Sequence, residues 1–124
     1  MLVQDIMASE LATISPNATI ADAAAVMLLA GTTSLFVTAK DFLLGIITDK
    51  DVLYGVVAKG FGPTDRKVWE FMTLKPPVAN PGMNMLELVL LMDRHRLTKL
   101  PVVVEEKLVG SVTLADVAAS LDLL

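Results

Sequence analysis

The 124-residue chain has no cysteine, which excludes disulfides, thiolate nucleophiles, zinc fingers and iron–sulfur clusters at once. Histidine occurs once, at His95, so no imidazole pair exists to hold a transition metal, and no metal site is expected. Basic residues are outnumbered, ten against fourteen acidic ones, for a net charge of −4. That sign is wrong for a broad face that grips a phosphate backbone, so nucleic acid is not an expected partner. Long apolar runs are missing too: the longest uncharged stretch, Ala23 to Ala39, is 17 residues and is interrupted by Gly31, Thr32, Thr33 and Ser34. A spanning helix needs about 20. The opening MLVQDIMASE sets Asp5 and Glu10 where a signal peptide has a basic segment and an apolar core. The expectation is a cytoplasmic protein without membrane insertion.

What the chain does have is apolar bulk, 54% of its residues. At this size folding removes roughly two-thirds of the surface an unfolded chain exposes, enough for one folding unit or two small halves sharing a core.

A shift of 65 residues lays 3–59 over 68–124 without a gap. It pairs Val3 with Val68, Met7 with Met72, Pro16 with Pro81, Thr33 with Thr98 and Val37 with Val102. Leu43 then meets Leu108, Gly45 meets Gly110, Thr48 meets Thr113, Asp51 meets Asp116 and Val52 meets Val117. A fixed internal offset of this kind marks a duplicated unit. Between the copies, KGFGPTDR (Lys59 to Arg66) has the glycines and proline of a loop. The organisation expected is a first repeat over 1–59, a linker over 60–67 and a second repeat over 68–124.

Each copy predicts the same elements. VQDIM and VWEFM are short amphipathic turns, and LATIS and PVANP are extended up to the matched proline. Helices follow, capped reciprocally by Thr19 with Asp22 and by Asn84 with Glu87, the first ending at Gly31. SLFVTA with LLGIIT, and LPVVV with LVGSVT, read as strand pairs turned at KDF and EEK, and a last helix starts at Thr48 or Thr113. Strand, helix, strand, strand, helix, twice over, gives an α/β fold. A half this small cannot bury enough surface alone, so the halves are expected face to face about a pseudo-twofold axis, with two equivalent clefts.

Ala23 to Ala30 and Leu88 to Met92 are apolar all round. A surface helix would show a polar face. Either these helices are central to their own core, or an outer face packs on another subunit, giving a homodimer through apolar helical faces.

GIITDKD (Gly45 to Asp51) and GSVTLAD (Gly110 to Asp116) both fit GxxTxxD at a strand-to-helix turn. Thr with Asp three residues on is a capping arrangement, and local stability alone accounts for it. The same Thr hydroxyl and first-turn amides also suit a phosphate, and the carboxylate suits the two hydroxyls of a ribose. Catalytic chemistry finds no support. Asp49 and Asp51 diverge on a helix, GFGP lacks the Lys and Ser or Thr of a phosphate loop, and no nucleophile has a paired base. No enzyme is expected. The seven methionines fall mostly on apolar helical faces as core. Trp69, beside Phe71, reads as a plug between linker and core.

Taken together, the opening VxxxM, the segment HRLTKLPVV (His95 to Val103) and GxxTxxD in both copies resemble a tandem pair of CBS domains, a Bateman module. The resemblance covers Val3 to Leu124. It implies two CBS-type β-α-β-β-α repeats in an often dimeric regulatory module that binds AMP, ADP, ATP or S-adenosylmethionine and requires no cofactor. A ligand-free dimerising adaptor is the alternative. It also implies clefts built from both repeats. One would combine Pro77, Leu97 and Thr98 around the base with Ile46, Thr48 and Asp51 on ribose and phosphate. The other would combine Ala12, Thr32 and Thr33 with Ser111, Thr113 and Asp116.

The two sets differ in charge. Arg96, with His95 and Lys99 nearby, and Lys50 beside Asp51 accompany the former; Ala30, Gly31, Ser34, Leu114 and Ala115 occupy the equivalent places in the latter. The cation-bearing set is therefore the favoured cleft. Arg94, His95 and Arg96 equally suit a solvated helix end. Arg66 and Lys67 are further candidates for a phosphate, although a charged linker is usually solvated. Phe36 departs from the pattern, standing where the second repeat has a proline.

Overall fold

A computed structural model describes residues 1–121; the last residues of the expected second repeat, through Leu124, lie outside the described residues. The chain forms two compact units, one made of Ala12–Pro76, the other of Met1–Leu11 together with Pro77–Leu124. The elements are α1 (Val3–Ile6), β1 (Thr13–Ile14), α2 (Ile20–Ala30), β2 (Ser34–Ala39), β3 (Phe42–Thr48) and α3 (Asp49–Val52), then β4 (Thr73–Leu74), α4 (Met85–His95), β5 (Lys99–Val104), β6 (Lys107–Thr113) and α5 (Leu114–Leu121).

In the Ala12–Pro76 unit β1 runs parallel to β2, β2 antiparallel to β3, and β3 antiparallel to β4. Ile14, Leu35, Val37 and Ile47 from these strands meet Ile20, Ala23 and Met27 of α2 to make the core. The other unit repeats this order with less regular strands: β5 pairs antiparallel with β6, Ala79 bridges Val102 in parallel and Ala8 bridges Ser111 antiparallel. Its core takes Leu88 and Met92 of α4 with Leu100, Val102 and Val112.

These units do not follow the sequence repeats. Val3 opens the first repeat yet lies fully buried in the core with Leu100 and Val112. Its N–H donates to Met83 O at 2.8 Å, and Ala8 and Ser111 exchange backbone bonds at 2.8 and 2.9 Å. Val68 opens the second repeat and is buried with Leu35 and Ile47, its N–H donating to Ala18 O at 2.9 Å.

The caps follow from the residue types. Thr19 Oγ1 accepts from the Asp22 N–H at 3.0 Å while Asp22 Oδ2 accepts from the Thr19 N–H at 3.0 Å. Asn84 accepts from the Glu87 N–H at 2.8 Å. The reciprocal Glu87 bond expected from the sequence is not part of that cap. Gly31 ends α2 in the left-handed region at φ 65°, and Arg96 does the same for α4 at φ 54°, at a residue that adopts it less readily.

Other departures have local causes. PVANP forms only the Ala79 bridge, because Pro77 and Pro81 have no N–H to extend a ladder. The first repeat's last helix turns from α to a five-residue π turn over Leu53–Val57, where a Cβ on Gly55 would lie 3.0 Å from the Phe71 ring. Trp69 is 56% exposed and plugs nothing; Phe71 packs on the core instead.

Hydrogen bonds with the backbone and then the hydroxyl of Thr19, helped by the Lys67 charge, hold the Asp22 carboxyl below its ordinary value of 3.8. A carboxylate depressed by folding stabilises the fold above its unfolded value and loses that contribution as pH falls through its folded value. Asp22→Asn should therefore lower thermal stability at neutral pH, with the gap to wild type closing in acid, as melting curves across that range will read.

A Cβ on Gly45 would lie 2.5 Å from the Thr73 carbonyl oxygen of β4, whereas one on Gly110 would meet first the flexible Met7 sulfur at 2.8 Å. Gly45→Ala should cost about 2–3 kcal/mol and Gly110→Ala less, measured by urea unfolding.

Candidate functional site

Each unit presents a GxxTxxD segment where a strand gives way to a helix. In the Ala12–Pro76 unit Thr48 ends β3 and caps α3: its hydroxyl accepts from the Asp51 N–H at 3.2 Å, and Asp51 Oδ2 accepts from the Thr48 N–H at 2.8 Å. In the other unit Thr113 and Asp116 repeat this at 3.0 and 2.8 Å. Both aspartates thus turn one oxygen onto their own backbone, as a cap does. The described bonds of each engage Oδ2, which leaves Oδ1 as an acceptor for a ligand hydroxyl.

The first-turn amides are less open than the sequence suggested. The Asp49 N–H donates to Thr33 O at 2.9 Å and the Lys50 N–H to Asp49 Oδ1 at 2.9 Å, so with Asp51 all three are occupied. At α5 the Leu114 N–H donates to Thr98 O at 2.8 Å.

Within a unit the structure brings together residues that the resemblance gives to different clefts. Antiparallel β2 and β3 set Ser34 against Thr48, next to Thr33; β5 and β6 set Lys99 against Thr113, next to Thr98. Thr32 Oγ1 donates to Ser34 O at 3.2 Å, and the Phe36 N–H donates to Ala12 O at 3.2 Å, which ties Ala12 to β2. Phe36 itself is buried. Ile46 and Pro77 are half-buried and Ser111 is buried.

Arg96, Leu97 and Thr98 line a groove of about 340 Å³ with Val89, Met92, Asp93 and Leu114. Lys50 lines another of about 350 Å³ between α2 and α3. Lys99 was only an accessory cation in the sequence, yet it is half-buried and burial holds its ammonium below the usual lysine range. Its place at the strand start, followed by fully apolar Leu-Pro-Val, is the signal that could have singled it out. Arg66 is already engaged, 3.2 Å from Glu70 Oε1 and 3.9 Å over the Phe61 ring. Among the described residues no three His, Cys, Asp or Glu side chains cluster to hold a metal, and no helix is long and apolar enough to cross a membrane.

Two repeats of one strand and helix order, each with GxxTxxD at the same turn, define a duplicated α/β module. The CBS domain family model matches residues 3–58 and again 68–122, and the chain belongs to that family. The CBS domain-containing protein YhcV of Bacillus subtilis is 35% identical over 119 residues, covering 95% of this chain and 84% of its own length. The crystal structure of hypoxic response protein I with two coordinated zinc ions is similar at 27% identity and a TM-score of 0.87, covering 96% of this chain and 98% of that one. CBSX2 in complex with AMP is similar at 26% identity and a TM-score of 0.83, covering 98% and 97%.

Proposed function

We propose that the chain is a cytoplasmic regulatory module that binds an adenosine ligand, AMP, ADP or ATP, between residues contributed by its two repeats, and that it carries out no reaction of its own. The observation that supports this most is the likeness to the AMP complex of CBSX2 along nearly the whole chain. The favoured ligand set is Ile46, Thr48, Lys50 and Asp51 with Pro77, Arg96, Leu97 and Thr98. Oδ1 of Asp51 takes the ribose hydroxyls. With the α3 amides occupied, phosphate charge falls to the side chains of Arg96 and Lys50. The weaker set, Ala12, Thr32 and Thr33 with Ser111, Thr113 and Asp116, holds no cation. Binding shifts the module only as far as the ligand prefers one arrangement over another.

A second reading, a ligand-free dimerising adaptor, is favoured by the completed capping bonds at both GxxTxxD turns. Titration calorimetry with AMP, ATP and S-adenosylmethionine decides between them. The sensor reading expects AMP or ATP to bind well below millimolar. Binding of S-adenosylmethionine alone would change the ligand class, and no binding tighter than about millimolar, or roughly −4 kcal/mol, leaves the adaptor.

In either reading the protein is a homodimer. What supports this is α2, which has no charge after Asp22 and exposes Leu28 and Leu29 by 82% and 87%. Those exposures also remove the alternative that α2 is covered on all sides by its own core.

A further inference from the structure

We propose that Asp93 limits the number of phosphates the favoured cleft accepts, so that the site takes a nucleoside monophosphate and turns away the triphosphate. This rests on the sensor reading and adds which nucleotide the module answers to and which side chain decides.

The segment that closes α4 reads Asp93-Arg94-His95-Arg96, one acid among three basic residue types. By count this end is basic. Residues three apart share a helical face, however, and adjacent ones do not. Asp93 and Arg96 accordingly both line the 340 Å³ groove, whereas Arg94 and His95 do not, and the other walls are apolar except at Thr98. Neither the Asp93 carboxylate nor the Arg96 guanidinium has an ion-pair partner among the described residues. Next to Thr98 the groove therefore offers one cation and one acid, and not the cluster of cations that the sequence suggests.

The other cation of the favoured set, Lys50, also comes with an acid beside it, since Asp49 lines the same groove of the first repeat. With Asp51 given to the ribose, the set offers Arg96 and Lys50 against Asp93 and Asp49. A nucleoside monophosphate brings about two negative charges, which the two cations match. Each phosphate beyond the first adds charge and finds no third cation in the groove beside α4, which Lys99 does not line. It meets the Asp93 carboxylate there, between walls that offer it few donors. Like charges brought together away from open water repel more strongly than they would in it. Of the two acids Asp93 carries the discrimination, because Asp49 Oδ1 already accepts from the Lys50 N–H at 2.9 Å. The Asp93 carboxylate has no such bond among the described residues.

Titration calorimetry of the full chain with AMP, ADP and ATP, in EDTA and at fixed ionic strength, should show affinity falling from AMP to ATP by about tenfold or more. Asp93 is exposed, so Asp93→Asn removes the charge without threatening the fold. That variant should keep AMP affinity within about threefold of wild type and raise ATP affinity about fivefold or more. Glu105→Gln removes the same charge just past the far end of β5 from Thr98 and should leave the ratio of AMP to ATP affinity as it is. Wild-type protein that binds ATP as tightly as AMP, or an unchanged ratio in Asp93→Asn, would overturn the role of Asp93 while the sensor reading stands. A change of ratio in Glu105→Gln as large as that in Asp93→Asn would overturn it too, by assigning the preference to overall charge. Absence of binding by all three nucleotides removes the sensor reading and this inference with it.

Discussion

Val3→Ala should lower stability by about 2 kcal/mol, and the damage should appear in residues 77–121 rather than in the repeat to which Val3 belongs by sequence. Val3 is fully buried among Leu88, Leu100, Val102 and Val112. Truncation there leaves a cavity that β5, β6 and α4 close only in part. Amide hydrogen exchange should lose protection at Leu100, Val102 and Val112 while Val37 and Ile47 keep theirs. Val68→Ala should do the converse, loosening β2 and β3, because Val68 is buried in that core. Loss of protection within each variant's own repeat would refute the exchange of opening segments.

Asp51→Ala should weaken AMP binding about tenfold to a hundredfold, the worth of one or two hydrogen bonds to a charged group, whereas Asp116→Ala should change it by no more than about threefold. Both substitutions break the same cap, since each carboxylate accepts its threonine's N–H at 2.8 Å. Each should therefore cost about 1 kcal/mol of stability. Equal stability losses with unequal affinities separate a ligand contact from a cap. Equal or reversed affinities would sink the assignment of the favoured set.

The local chemistry was legible in the sequence because each signal acts over a few residues. Thr19 with Asp22 and both GxxTxxD turns form the reciprocal bonds their spacing dictates, and Gly31 stops α2 where a left-handed residue is needed. Met27 and Met92 fill the core as their helical positions require. The exchange of opening segments was not legible, since Val3 and Val68 are equivalent in pattern and either core accommodates a valine. Nor was the short strand Thr73–Leu74, a pairing made by tertiary placement alone. Trp69 misled because its size suggests burial, while its neighbours Val68 and Phe71 face inward.

Of the candidate site, the sequence named the residue types but not their competing bonds. That Asp49 closes on the Lys50 N–H and Thr33 on the Asp49 N–H depends on backbone geometry. In the proposed sensor reading these bonds shift phosphate recognition from main chain to side chains. The half-burial of Lys99 was legible only in part, since the Leu-Pro-Val that follows marks a strand start but the depth of the side chain depends on how β5 packs.

The separate path of the first eleven residues has a consequence for how the protein emerges from the ribosome. Ala12–Pro76 is one contiguous span and can assemble as soon as it is made, whereas Ala8 finds its partner only at Ser111, from the opposite end of the chain. Val3, Ile6 and Met7 are therefore covered only once residues near 100–112 have been made, a non-local closure of the kind that slows folding.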